Sequence, residues 1–306
     1  MTTVSTSTSA FYDRSMIDLS GLRAQAEELQ SSLSSGQRLA RSSDDPVGAS
    51  RLRQLQRADA LSTVDIANAQ RASSDLQLVD GALGSFADYV TRVKELAIQA
   101  ANGTLTAAQR AGIGGEIAAM RLNVIQLANA RDSAGDALFG GQAAGVAYTI
   151  DAAGAAQYVG TATASELPLG EGQNVTRSLT GPEFLQFAVN GTSTDLMAAM
   201  KALADGLQAG GPGAQQAARD GMAAMDLGLD AITTAQTVVG TRMAWIDVTT
   251  ERRTNLSELR AAEEADVGGT DIAATVARLQ QTMTVLEASQ ASFSKLASLS
   301  LFELIR

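Results

Sequence analysis

Two stretches of the chain, one towards each end, carry long apolar seams in heptad register. Apolar residues recur at steps of three and four from Leu76 to Ala100, and again from Ile272 to Ala297. A helix with such a seam must bury it against another helix. Because the two seams lie about 200 residues apart, the pattern predicts that the N- and C-terminal parts run side by side and that the middle is an insertion.

Helix start and stop signals divide the first part of the chain. A helix is predicted from about residue 12 to residue 35, and Gly36 ends it. Asp45 is suited to cap the next helix and Pro46 to its first position, where the missing N–H costs nothing. If unbroken to residue 102, this second helix has roughly 57 residues and a length of about 85 Å.

A third helix is predicted to begin after Thr106, which forms a capping box with Gln109. The short connection at residues 102–105 makes this helix an antiparallel neighbour of the second one. Later in the chain, Asp195 begins a short amphipathic helix that is broken by the glycines at 210–213. A long helix then runs to about residue 265, and Gly268 and Gly269 form a hinge before the final seam.

The middle of the chain has a different pattern. Between about residues 136 and 192, short β-branched or aromatic runs alternate with glycines, at residues 146–150, 157–159, 175–179 and 184–189. Such runs predict a small antiparallel sheet or barrel. The predicted fold class is therefore mainly α: an antiparallel bundle of long coiled-coil helices formed by both chain ends, with a small β-rich insertion.

Composition excludes several kinds of site. The 306 residues include no cysteine and no histidine, which removes disulfides, thiolate or imidazole zinc sites and histidine-dependent nucleophiles. We therefore predict no cofactor, no metal, no catalytic residue and no enzymatic activity. Paired carboxylates such as Glu263 and Glu264 lie on a charged helix face with no sign of a pocket.

Charge and hydropathy limit the partners. The formal charge is −10, and residues 136–230 hold ten acidic side chains against three basic ones. An acidic middle argues against nucleic acid as a partner. No run of about 18 apolar residues predicts a membrane span, and residues 1–21 lack the basic and apolar regions of a cleaved signal peptide.

A resemblance is carried by three motifs. Residues 33–49, Leu-Ser-Ser-Gly-Gln-Arg-Leu-Ala-Arg-Ser-Ser-Asp-Asp-Pro-Val-Gly-Ala, resemble the N-terminal signature of the flagellins and flagellar hook-associated proteins. Residues 127–141 (Leu-Ala-Asn-Ala-Arg-Asp-Ser-Ala-Gly-Asp-Ala-Leu-Phe-Gly-Gly) and 300–304 (Ser-Leu-Phe-Glu-Leu) are more similar to the hook-filament junction branch, hook-associated protein 3, than to flagellin. Together the resemblance covers about 130 residues at the front and 90 at the back, and leaves out the middle.

The resemblance implies a layered subunit. Residues 1–42 and 270–306 would form an inner terminal coiled-coil domain, 43–135 and 194–269 a helical rod domain, and 136–193 a β-rich outer insertion domain. It also implies a structural component of the bacterial flagellum that joins the hook to the filament by assembling in a ring. The protein would be located outside the cell, in the flagellum at the junction of hook and filament. It would reach this place by type III export without a cleaved signal peptide.

The resemblance further implies the partners. These are other copies of the chain, the neighbouring hook-associated protein, flagellin, and a cytoplasmic export chaperone at the C-terminal helix, without nucleic acid or membrane insertion. The predicted assembly interface consists of Leu22, Leu29, Leu33, Ile272, Val276, Leu279, Met283, Leu286, Phe293, Leu301, Phe302 and Leu304. The predicted rod core consists of Leu76, Val79, Leu83, Phe86, Val90, Val93, Met225, Leu229, Ile232, Val239, Met243 and Ile246.

Several alternatives stay open at this point. The seams could belong to a monomeric bundle, and the ending Leu304-Ile305-Arg306 is close to that of flagellin, so a filament subunit is the first alternative. A cytosolic helical adaptor is the second. Because a terminal helix of about six turns is marginal alone in water, we expect the two ends to be largely disordered in the free subunit and to fold when it assembles.

Overall fold

The computed structural model describes residues 3–39, 41–132, 134–189 and 191–304, and the side chains of residues 3–9, 11 and 296–304 lie outside this description. The helices of the described residues are α1 (Thr3–Ser35), α2 (Pro46–Ala101), α3 (Ala107–Ala128), α4 (Gly181–Leu185), α5 (Leu196–Ala209), α6 (Ala214–Gly268) and α7 (Ile272–Leu304). The strands are β1 (Tyr148–Ile150), β2 (Ala156–Tyr158), β3 (Glu166–Gly170), β4 (Gln173–Thr176), β5 (Gln186–Val189) and β6 (Thr192–Asp195).

The long helices follow the sequence pattern closely. α2 contains 56 residues and begins at Pro46, as predicted. α1 begins at Thr3, well before the predicted start near residue 12. The serines and threonines of this segment cost little in a helix that is already nucleated, so the helix extends through them.

The predicted helix caps are confirmed by side-chain hydrogen bonds. The Thr106 hydroxyl accepts from the Gln109 amide while the Gln109 side chain accepts from the Thr106 amide, which completes a capping box at the start of α3. The Asp195 carboxylate accepts from the Ala198 amide at 2.9 Å and caps α5. These bonds satisfy amides that have no partner inside their own helix.

The insertion differs from its prediction. Its described strands form three separate antiparallel pairs, β1 with β2, β3 with β4 and β5 with β6. The single sheet or barrel predicted from the sequence is wrong. Each strand has only three to five residues, and a two-stranded hairpin this short depends on packing against other elements for its stability.

The run at residues 184–189 was also predicted as a strand throughout, and this too is wrong. Its first two residues end α4, which has a capping box between Thr180 and Glu183 and a proline in its first turn. These local signals favour one helical turn over the β-branched and aromatic pattern. As a result Phe184 is fully buried, and only Gln186–Val189 forms a strand.

The chain divides into two compact units. Unit 1 comprises residues 1–60 and 255–306, and unit 2 comprises residues 61–254. The three-part division into terminal, rod and insertion domains stays a prediction.

In unit 2, α3 packs very closely on α5. A Cβ at Gly114 would lie 2.8 Å from the Ala204 carbonyl oxygen, so only glycine permits this approach. The core also contains Phe86, Phe139 and Phe184, whose ring centroids are separated by 4.9–5.9 Å in edge-on or tilted arrangements. These rings connect α2, α4 and the segment after α3 in one apolar cluster.

A buried ionic cluster in unit 2 holds the segment after β4 to α2. The Arg177 guanidinium lies 3.2 Å from an Asp75 carboxylate oxygen and 3.3 Å from one of Asp132. The side chains of the two acids are only 3% and 5% exposed. Burial raises the pKa of Asp75, and the charge and hydrogen bond of Arg177 oppose this effect.

Candidate assembly interface

The two ends of the chain pair within unit 1. α1 packs antiparallel against α7, and the rings of Tyr12 and Phe293 meet edge to face with their centroids 5.4 Å apart. This contact confirms the prediction that the N- and C-terminal parts run side by side. The predicted interface residues that lie half-buried are Leu22, Leu29, Leu33, Leu279, Leu286 and Phe293.

The apolar seam of α7 is divided between two faces. Leu279, Leu286 and Phe293 recur every seven residues and are half-buried, whereas Val276 and Met283 occupy the alternate heptad position and are 37% and 49% exposed. Ile272, at the start of the helix, is 64% exposed. Half of the seam therefore lies exposed in the single chain.

The remaining predicted interface residues are Leu301, Phe302 and Leu304. They lie in α7, but their side chains are outside the described residues. Their contribution to an interface stays a prediction.

The structure also shows interface candidates that the sequence reasoning missed. On α1, Met16 and Ile17 are exposed apolar side chains, and on α7 so is Val285. They lie off the heptad seam, so a search by seam position passes over them. Thr282, between Leu279 and Leu286, is buried although polar, and a strict apolar pattern cannot signal it.

A shallow groove of about 370 Å³ follows the α1–α7 pair. Leu19, Leu22, Val285 and Phe293 line it together with several serines and Asp18. A groove with apolar walls and hydroxyl groups is suited to receive the side chains of another helix.

The flagellin-type signature lies where the two ends of the chain meet. Gly36 follows α1 with a φ of +68°, which glycine adopts without strain. The Arg38 amide donates to the Gly268 carbonyl at 2.8 Å, and the Thr270 amide donates to the Gly36 carbonyl at 3.0 Å. This short antiparallel bridge joins the end of α1 to the start of α7.

Arg38 reinforces the same connection with its side chain. Its guanidinium donates to the Val267 carbonyl at 2.8 Å and to an Asp45 carboxylate oxygen at 3.3 Å. Val267 lies in the last turn of α6, whose final carbonyls have no partner within the helix. One side chain thus stabilises the end of α6 and contacts the residue that caps α2.

Asp45 acts as the predicted cap. Its carboxylate accepts from the Gly48 amide at 2.9 Å, one turn into α2. This backbone hydrogen bond is the main reason why the pKa of Asp45 is lowered, and the hydrogen bond from Arg38 adds to it.

Two further polar contacts in unit 1 join α2 to α6. Arg51 donates two hydrogen bonds to the Glu263 carboxylate, at 2.6 and 2.8 Å, and this pairing lowers the pKa of Glu263 and raises that of Arg51. The Ser257 hydroxyl donates to Asp59 at 2.6 Å. Glu263, one of the two neighbouring acids noted in the sequence, is therefore paired with Arg51.

The predicted rod core lies in unit 2. Ten of its residues are buried, namely Leu76, Val79, Leu83, Phe86, Val90, Val93, Met225, Ile232, Val239 and Ile246. Leu229 and Met243 are half-buried against this core. Their role in holding neighbouring subunits at a fixed spacing stays a prediction.

Among the helices that the structure describes, none combines the length and the apolar composition that a membrane span requires. The described residues also contain no cluster of three or more acidic side chains arranged to hold a metal ion.

Comparisons with known proteins agree with this geometry. The family described as the bacterial flagellin N-terminal helical region matches residues 4–144. This match includes nearly all of α1, the signature at residues 33–49, α2 and α3. The first part of the chain is flagellin-like.

Over nearly its whole length, the chain is similar to flagellar hook-associated protein 3 of Escherichia coli strain K12. The identity is 23% over 314 residues, and the alignment covers 97% of this chain and 98% of the relative. Flagellin E of Vibrio cholerae is 30% identical over 126 residues, which is 39% of this chain and 32% of that flagellin.

A solved structure shares the fold. A flagellar hook-associated protein from Vibrio parahaemolyticus superimposes with a TM-score of 0.68 at 21% identity, covering 74% of this chain and all of that chain. The predicted fold class, long helices with a small β insertion, is confirmed.

Proposed function

We propose that this chain is a structural component of the bacterial flagellum that joins the hook to the filament and assembles in a ring through its terminal helices. One observation carries the proposal: the similarity to a hook-associated protein 3 extends over 97% of the chain and 98% of that relative. The similarity to a flagellin covers only 39% of the chain. A junction role accounts for the whole chain, and a filament role for its first part.

The exposed half of the α7 seam supports assembly through the ends. Ile272, Val276 and Met283 offer an apolar strip that α1 does not cover, and Ile17 adds another on α1. Burying such strips between copies gains roughly 25 cal/mol per Å² of apolar surface. We therefore assign contacts between neighbouring subunits to the exposed strips, and the pairing within one subunit to Leu279, Leu286 and Phe293.

The proposed partners follow from this role. They are other copies of the chain in the ring, a neighbouring hook-associated protein on one side and flagellin on the other. A cytoplasmic export chaperone would bind α7 before assembly, where it would cover the same exposed apolar residues. The chain would act outside the cell after export without a cleaved signal peptide, and it would have no enzymatic activity.

Immunogold labelling of isolated flagella tests the proposal. A single band at the distal end of the hook is the expected result. Staining along the filament would favour flagellin, which the match of residues 4–144 to the flagellin N-terminal region keeps as the second candidate. Cytoplasmic protein in stable dimers, with no label on flagella, would overturn both.

A further inference from the structure

An exposed apolar edge runs along α6 in unit 2. Leu227, Val238, Trp245 and Val248 recur at helical spacing on one side of the helix and are 37–65% exposed. Two exposed acids, Asp230 and Glu251, lie along the same side. We call this set of six residues the Trp245 edge.

A second edge runs along α2 in the same unit. Its apolar residues are Leu61, Val64 and Leu78, which are 45–59% exposed. Two exposed arginines, Arg71 and Arg92, occupy the same heptad position as Val64 and Leu78. Arg92 also forms exposed ion pairs within the chain, with Glu95 of α2 and Glu116 of α3. We call these five residues the Leu78 edge.

The two edges face in opposite directions. α2 and α6 contact each other through the ion pair between Lys94 and Asp226. On α2, Arg92 lies two residues from Lys94, which is about 160° around a helix. On α6, Trp245 lies two residues from Asp247, which shares the heptad position of Asp226. Each edge therefore points away from the other helix, and the two cannot meet within one chain.

The charges on the two edges are opposite in sign and equal in spacing. Arg71 and Arg92 lie three heptads apart, about 32 Å at 1.5 Å per residue, and Glu251 and Asp230 are separated by the same distance. Within unit 2, Asp65 pairs with Arg253 and Lys94 with Asp226, so α2 and α6 are antiparallel. Two copies placed side by side in the same orientation consequently bring α2 of one copy antiparallel to α6 of the next.

In that arrangement one register satisfies both charge pairs. When Arg71 of one copy meets Glu251 of the next, Asp230 comes to the level of Arg92, and Leu78 lies within one residue of the level of Trp245. Asp230 would then share Arg92 with its exposed partners Glu95 and Glu116. The axial offset between copies is then about two to four residues, or roughly 3–6 Å. This offset sets the tilt of the copies in a closed ring or the rise in a helical array.

We propose that the Trp245 edge of one copy binds the Leu78 edge of the next, as a head-to-tail contact between unit 2 of neighbouring subunits. Opposite-facing, complementary edges produce a heterologous interface, which closes into a ring or continues as a helix. The inference rests on the proposed flagellar function and deepens it, because it assigns the lateral contact to named residues outside the terminal helices.

Cysteine cross-linking tests the contact, because the natural chain contains no cysteine. Cells that produce only the double variant Leu78→Cys, Trp245→Cys supply isolated flagella for mild oxidation. We expect a ladder of covalent oligomers. Each single-cysteine variant should stay monomeric, because a head-to-tail contact never brings two identical residues together.

A matched control moves the second cysteine to the other side of α6. The pair Leu78→Cys, Asp247→Cys keeps the same helix and nearly the same level, and should give no ladder. Dimers from either single variant would overturn the proposal in favour of a two-fold contact. The absence of a ladder in flagella that carry the double variant at its normal position would also overturn it, while leaving the proposed function intact.

The location of the label separates the two proposals. If immunogold finds the protein along the filament and the ladder forms, the contact stands and the junction function fails. If the protein is absent from flagella, oxidation of concentrated purified full-length chain gives the decision: a ladder supports the contact and its absence overturns it.

Fluorescence gives a second readout, because Trp245 is the only tryptophan of the chain. Its emission should shift to shorter wavelength as copies associate.

Glu251→Arg should weaken association about three- to tenfold, as expected for an exposed charge pair turned repulsive, and Arg71→Glu added to it should restore association. The charge of Arg71 also opposes the rise in the pKa of Asp75 that burial causes. The thermal stability of each monomeric variant is therefore compared with that of the natural chain. Stable variants that associate like the natural chain, or no spectral shift on association, would overturn the contact.

Discussion

Tyr12 and Phe293, 281 positions apart in the sequence, meet ring edge to ring face with centroids 5.4 Å apart. This contact ties the N-terminal helix to the C-terminal helix within one chain. The expectation that both ends are largely disordered in the free subunit stays a prediction, and in the folded chain α1 and α7 pack on each other. Their exposed strips are what remains for other copies.

We expect Phe293→Ala to weaken the α1–α7 pair. It removes an aromatic contact worth about 0.5–1.5 kcal/mol together with part of the half-buried stripe. Limited proteolysis of the purified chain should cut within α1 and α7 sooner, while unit 2 stays intact. Unchanged cutting rates would show that the ring contact does not hold the ends together.

Met283→Ser is the converse change on the same helix. Because Met283 is 49% exposed and lies away from α1, we expect the proteolysis of the monomer to stay as in the natural chain. Incorporation into flagella, measured by immunoblot of isolated filaments and hooks, should fall. A variant that assembles normally would remove the exposed half of the α7 seam from the proposed interface.

Arg38→Met should loosen the connection between the end of α6 and the start of α2. It removes the hydrogen bonds to the Val267 carbonyl and the Asp45 carboxylate, so the Val267 carbonyl at the end of α6 loses its side-chain donor. Hydrogen exchange at residues 268–275 should accelerate. Arg57→Met, a change at an exposed arginine of α2, is the control and should leave that exchange rate unaltered.

Acidification tests Asp45 in the same region. The pKa of Asp45 is lowered by the Gly48 amide and by Arg38, so its ionised form stabilises the folded state. This stabilisation is complete above the ordinary carboxyl pKa and is lost as the pH falls through the lowered value. Asp45→Asn, which can still cap the helix, should reduce the loss of stability between pH 5 and 2 in denaturant titrations. An identical pH profile would contradict this assignment.

Arg177→Met should destabilise unit 2 strongly at neutral pH. It leaves the carboxylates of Asp75 and Asp132 buried together without their cation, and breaking a buried ion pair costs about 3 kcal/mol or more. Because burial already raises the pKa of Asp75, the cost of ionising it is present above that pKa and is relieved as the pH falls.

Urea titrations at pH 7 and pH 5 check this sign. The variant should recover part of its stability at pH 5, and adding Asp75→Asn should recover part of it at pH 7. If stability instead falls from pH 7 to pH 5 as steeply as in the natural chain, the ionised carboxylates of Asp75 and Asp132 are not what destabilises the variant.

Much of this fold could be predicted from local signals. The limits of α2, the caps at Thr106 and Asp195 and the burial of the seam from Leu76 to Val93 follow from periodicity and from hydrogen bonds within a few residues. The strands were predicted less well. Whether three short hairpins join into one sheet depends on which helices they find to pack against, and no local pattern contains that information.

The sequence alone determined the course of the long helices and their apolar seams, because both depend on spacing along the chain. Only the tertiary structure decided how each apolar face is divided: Leu286 lies against α1 and Met283 remains exposed, although both belong to one heptad seam. The physical reason is that a helix has a full circumference of side chains, while a single neighbour covers only one side of it. The uncovered side of the helix is available to other molecules. The spacing of residues along the chain does not indicate which side this is.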